Sequence, residues 1–248
     1  MCLNLYEHRV LTTHQVFELH FQAMRRAQRR LLRLHNRGLL ERFRPFRPTG
    51  SHPWHYILGD VGITVVAAHR GVETKELKVS RDRLRGLAYS PILPHLVAVN
   101  GFFSRLAYRC RGKPGYGLAE WWSERRATAE WQGLVRPDGI GRLRSPFTDV
   151  RFFFELDRGT EPSSRLEEKL VHYARVARIP NSPRVLLFLF PTERREAEAR
   201  KALANPGMLV LTGAEPAAAD PLGPVWLPVG GEHRLRLDEP PRLQEAWR

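Results

Sequence analysis

Phe152-Phe153-Phe154-Glu155-Leu156-Asp157-Arg158-Gly159-Thr160 is an aromatic, strand-forming run that ends in two acids two residues apart. Side chains alternate faces along a strand, so Glu155 and Asp157 share one face while Phe152, Phe154 and Leu156 fill the other. Upstream stands Pro137-Asp138, and downstream Lys169 and Tyr173 lie four apart in a helical pattern. A carboxylate before one strand, a carboxylate inside the next and a nearby lysine are the parts that a metal-dependent phosphodiesterase site needs.

The flanking sequence predicts the layers around this strand. An amphipathic helix opens at about Pro94 and runs to about Arg109, followed by strands near Leu118 to Trp122, Gly139 to Leu143 and Val150 to Leu156. The last two read as a hairpin. A helix from about Glu161 to Ala177 turns Leu166, Leu170, Tyr173 and Ala174 inward. Then come a fully apolar strand (Val185 to Phe190), a charged helix (Thr192 to Leu203) and another apolar strand (Met208 to Thr212). This βαβαβ alternation predicts a partly parallel sheet buried on both faces.

Toward the N-terminus, Thr12-Thr13-His14-Gln15 reads as a capping box, with Gln15 reaching back to Thr12. A helix to about His20 follows, then a second from about Ala23 to Asn36 with Met24, Ala27, Leu31 and Leu34 at core spacing. Arg25, Arg26, Arg29, Arg30 and Arg33 take the remaining surface, and Gly38 supplies a stop. Two extended segments, about Leu40 to Arg47 and Trp54 to Leu58, flank a turn-rich stretch, and Arg42 and Arg44 alternate with Phe43 in the first. Helices followed by a basic two-stranded wing predict a winged helix-turn-helix. Its arginine helix would lie in the major groove of duplex DNA and its wing along a phosphate backbone. The blander alternative makes these arginines a solvated helix face. Nine arginines between Arg25 and Arg47, opposed only by Glu41, weigh toward DNA.

Forty lysines and arginines against 26 acids give the 248-residue chain a net charge of +14, which favours a polyanionic partner. Only five of the forty are lysines, and arginine suits bidentate phosphate and guanine contacts. GC-rich coding is an equal alternative cause of that bias. Cys2 and Cys110 form neither a disulfide framework nor a zinc spacing. No signal-peptide pattern and no apolar run approaching roughly 18 residues is present, so a soluble, cytoplasmic protein without membrane contact is expected. The expected organisation is a winged helix-turn-helix over 1–71, a connector over 72–93, a nuclease-like domain over 94–230 and a peripheral tail over 231–248.

The order of acids and elements resembles the restriction-endonuclease-like core of the PD-(D/E)xK superfamily, a mixed sheet flanked by helices. Lys169-Leu170-Val171-His172-Tyr173 resembles the Q-x-x-x-Y helix motif of related nucleases, with lysine replacing glutamine. Adding the winged helix, His95-Leu96, Arg136-Pro137-Asp138-Gly139 and Glu155 through Glu161, roughly residues 5 to 228 look like the replication-relaxation family. Those proteins belong to plasmids, integrative elements and phages and are assigned to plasmid replication or DNA relaxation. The resemblance implies catalytic roles for Asp138, Glu155, Asp157 and Lys169, magnesium or manganese held by Asp138 and Glu155, and support from Tyr173 and Glu124. It also implies duplex DNA and other replication or transfer proteins as partners.

One departure stands out: Asp157 occupies the place of the usual Glu-x-Lys lysine. Lys169 is the only lysine on the helix directly after the active strand, and Arg158, permanently protonated, cannot replace it as a base. Taken singly, each residue has a plain structural role to set against this. Asp138 before a glycine can be a turn former, Glu161 a first-turn acid and Tyr173 a core aromatic. Two functions therefore stay open: a DNA-nicking enzyme, or a non-catalytic DNA-binding accessory or regulator with a degenerate nuclease domain. A tyrosine relaxase is not expected, because the ten histidines include no His-x-His pair.

Overall fold

Thr12 caps its helix as the sequence predicts. Its hydroxyl accepts the Gln15 amide at 3.3 Å, and Gln15 Oε1 accepts the Thr12 amide at 2.9 Å. This computed structural model describes residues 1–159, 162–203, 207–215 and 219–239. The chain divides into two units, Met1–Ser104 and Arg105–Arg248.

The first unit holds α1 (Cys2–His8), β1 (Leu11–Thr12), α2 (Thr13–His20), α3 (Met24–Asn36), β2 (Leu40–Phe43), β3 (His55–Leu58) and α4 (Asp60–Arg70). Its strands form a small antiparallel sheet in the order β1-β3-β2. Gly38 ends α3 at φ 70°, a left-handed conformation that glycine adopts without steric penalty. The expected connector, residues 72–93, carries α5 (Arg81–Gly86) between two short 3-10 turns and buries Leu77, Leu84 and Leu87 within this unit. The long helix α6 (Leu93–Cys110) contributes as far as Ser104. Asn100 Nδ2 donates to Val10 O at 2.7 Å, Ser104 Oγ to Glu18 at 2.6 Å and Gln15 Nε2 to Val97 O at 2.7 Å. These bonds satisfy buried groups that would otherwise carry a desolvation cost.

The second unit contains β4 (Gly117–Ser123), α7 (Glu124–Glu130), β5 (Gly139–Arg144), β6 (Asp149–Leu156), α8 (Ser163–Val176), β7 (Val185–Phe190), α9 (Glu193–Ala202), β8 (Leu209–Ala214) and β9 (Leu227–Pro228). The six strands lie in the order β4-β5-β6-β7-β8-β9. β6, β7 and β8 are parallel neighbours, and β4, β5 and β9 pair antiparallel, so the predicted hairpin and the partly parallel sheet are both present. The whole is a mixed α/β protein. Glu161, expected to open the helix after β6, lies outside the described residues. Besides the short strand β9, two further features of this unit had no counterpart in the prediction. α7 intervenes between β4 and β5. The polar stretch after Glu232 is tied in as far as Asp238: Leu235 and Leu237 are buried, and Arg234 binds Glu196 at 2.7 Å.

One face of this sheet carries a core of Phe153, Leu186, Phe188, Phe190 and Val210 beneath Leu166, Leu170 and Tyr173 of α8. Phe152 fills the opposite face against Gly141, its β5 partner. A Cβ on Gly141 would stand 2.2 Å from the ring, so only glycine leaves the ring its place. Among the described residues, no helix is long and apolar enough to cross a membrane.

Candidate functional site

Glu155 lies on the same face of β6 as Phe153, two residues on, and is therefore carried under α8. Phe153 meets Tyr173 with ring centroids 4.9 Å apart, which sets the first half of this packing. The second half is polar. Lys169 Nζ donates to Glu155 Oε2 at 2.9 Å, and the Tyr173 hydroxyl donates to Oε1. The i, i+4 spacing of Lys169 and Tyr173 aligns them along one side of α8, so one carboxylate engages both. Glu155 is only 4% exposed.

Asp138 reaches the same strand end by a different route. The β5–β6 ladder stops at the pair Gly139 and Phe154, and Asp138 Oδ2 accepts the Leu156 amide at 2.8 Å just beyond it. Burial pushes the Glu155 carboxyl up to about 7, and the charge of Asp138 pushes in the same direction; Lys169 and Tyr173 pull it down. The two acids thus sense one another across the end of β6. Asp138, Glu155, Lys169 and Tyr173, separate in sequence, form one cluster.

Asp157 is held differently. Its Oδ1 accepts the Gly159 amide at 2.6 Å, and its Oδ2 takes Arg195 Nε at 2.8 Å. Arg195 lies in the first turn of α9; it is half-buried, and Asp157 is buried. Sequence reasoning missed Arg195 altogether: 38 residues separate it from Asp157, and nothing in its own neighbourhood sets it apart from the adjacent Arg194. Glu124 is exposed in the first turn of α7, where an acid complements the helix dipole. Among the described residues, no group of three or more His, Cys, Asp or Glu side chains gathers in a metal-holding arrangement.

In the first unit, Arg25, Arg26, Arg29, Arg30 and Arg33 are all exposed, while Ala27 and Leu31 are fully buried. Arg42 and Arg44, two apart on β2 and its extension, both stack on Trp54 with guanidinium carbons 4.2 Å from the ring centre. Glu41 is bound by Arg85 at 2.7 Å and 2.8 Å and lies 3.6 Å from Arg81. The hydrogen bond from Arg85 holds its carboxyl below the usual range. The single acid within this arginine-rich segment is thus engaged by arginines from the expected connector.

A comparison with known families matches residues 3–185 to the replication-relaxation family. The chain belongs to the replication-relaxation family. The match takes in the first unit from residue 3 onward and Asp138, Glu155, Asp157, Lys169 and Tyr173, and it stops short of Arg195. Membership points this replication-relaxation protein toward a role in replication or relaxation of a plasmid or mobile element. No curated protein and no solved structure matches it.

Proposed function

We propose that the chain binds duplex DNA through its first unit and cuts one DNA strand with a divalent-metal site in its second. The observation that carries this reading is the cluster at the end of β6, where two carboxylates, a lysine and a tyrosine converge. Asp138 and Glu155 are hard oxygen donors of the kind magnesium and manganese accept; burial raises Glu155 most, the charge of Asp138 adds to it, and a dication relieves that repulsion. These two residues would hold the metal. When bound, it would supply a water of lowered pKa and neutralise charge on the phosphate. The chain's own residues do the rest. The Leu156 amide fixes Asp138, Tyr173 orients Glu155, and the Lys169 ammonium offsets negative charge beside it. Lys169 comes from the helix, which makes good the lysine missing at Asp157.

For DNA binding, support comes from the exposed arginines of α3, the capped helix α2 before it and the β1-β3-β2 sheet with Arg42 and Arg44 on its edge. These features support reading the first unit as a winged helix-turn-helix, with α3 as the groove-reading helix.

The test is nicking of supercoiled plasmid with magnesium or manganese by wild type, Asp138→Ala and Glu155→Ala. Metal-dependent nicking by wild type that both substitutions abolish is the expected result. Wild-type protein that binds DNA tightly and never cuts it under either metal would sink the enzyme reading. A second reading, a non-cutting DNA-binding accessory, is favoured by one feature: both Glu155 oxygens are already engaged by Lys169 and Tyr173.

A further inference from the structure

Phe46 is the most conspicuous apolar side chain on the first unit's basic edge, 88% exposed in the loop that joins β2 to β3. A phenylalanine kept so far out of the core gives up most of the stabilisation that burial would bring. Its surroundings say what it faces. Arg44 and Arg47 flank it in Arg44-Pro45-Phe46-Arg47-Pro48, and no acid occurs from Arg42 to Gly59. Proline restricts the residue before it to extended backbone, so Pro45 stiffens Arg44 and Pro48 stiffens Arg47. Beneath the tip, Arg42 and Arg44 are pinned on Trp54, and Phe43 stacks on His55 from the other side with centroids 5.4 Å apart. The loop base is therefore fixed on both faces, and one aromatic ring stands at its cationic tip.

We infer that Phe46 is a wedge that enters between base steps in the DNA minor groove, while Arg44 and Arg47 hold the phosphates on either side. Minor-groove binders combine these two chemistries: cationic side chains follow the narrow groove, and an apolar side chain unstacks one step and kinks the duplex. The prolines lower the ordering cost of presenting the ring. A protein partner would be a poorer fit, because it would have to cover three neighbouring guanidinium groups, Arg42, Arg44 and Arg47, along with the ring. This inference rests on the reading of the first unit as a duplex-binding unit.

The experiment uses the full chain and short duplexes labelled at both ends for energy transfer, with 2-aminopurine placed along one strand. Wild type should bend the duplex and raise 2-aminopurine fluorescence at one step. Phe46→Ala should lose both signals and weaken binding roughly tenfold, Phe46→Leu should keep them, and Arg29→Ala should weaken binding while the residual complex remains bent. Bending and fluorescence unchanged in Phe46→Ala would overturn the wedge and leave DNA binding standing. Wild type that fails to bind any duplex would overturn the duplex-binding reading, and the wedge with it. Phe46→Ala that changes only self-association would make the ring a protein contact.

Discussion

At the scale of single residues, two buried acids two residues apart at the end of β6 meet different fates. Asp157 is paired with Arg195, whereas Glu155 is paired with Lys169 and also feels a second negative charge, Asp138. Removing Arg195 leaves the buried Asp157 charge uncompensated, so Arg195→Ala should cost about 3 kcal/mol in a denaturant titration. Adding Asp157→Asn to that variant should recover part of the loss; no recovery would mean that Arg195 acts through packing instead. Glu155 predicts a pH trend. Its folded pKa is raised above the unfolded value, so its contribution is fully present below the ordinary glutamate range and is lost as pH rises through about 7. Relative to wild type, Glu155→Gln should therefore gain thermal stability between about pH 5 and about pH 8. A gap that moves the other way would show the ionised carboxylate to be better stabilised folded than unfolded.

At the scale of elements, legibility followed periodicity and local chemistry. The capping box of α2, the β5–β6 hairpin and the alternation from β6 to β8 are written in neighbouring residues, and each appears where expected. α7 was not legible, because among its seven residues only Ala127 is buried and no apolar stripe marks it. The elements within residues 72–93 were not legible for a related reason: the buried Leu77, Leu84 and Leu87 sit in two 3-10 turns and one six-residue helix, with no sustained period. The Asp138–Glu155–Lys169–Tyr173 cluster was partly legible, since spacing placed Lys169 and Tyr173 on one helix side. The Arg195 pairing was beyond reach, since only the fold joins α9 to the end of β6. Gly141 offers a check on how tightly this sheet is built. Because Phe152 is fully buried and cannot swing away, Gly141→Ala should cost about 1–3 kcal/mol. Combining it with Phe152→Leu should cost less than the two single changes summed, and strict additivity in urea unfolding would refute the clash.

At the scale of the whole molecule, the net charge of +14 sets how the chain meets a polyanion. Binding to a generic duplex should weaken steeply with salt, the logarithmic slope reporting about 0.9 per phosphate neutralised. Replacing Arg26, Arg29 and Arg33 with alanine should flatten that slope by roughly the number of phosphates they contact, measured by fluorescence anisotropy over a salt series. An unchanged slope would move the DNA contact off α3.

The arginine surface of α3 and the β2–β3 loop has a last consequence. None of the five lysines lies between Met24 and Gly59, so this face contains no amine for an acetyl or ubiquityl group to cap. Guanidinium stays protonated at any pH a cell maintains. Neither acylation nor a proton can therefore silence it. Competing ions, phosphate rivals such as RNA and the number of copies of the chain are routes of control that remain open to this face.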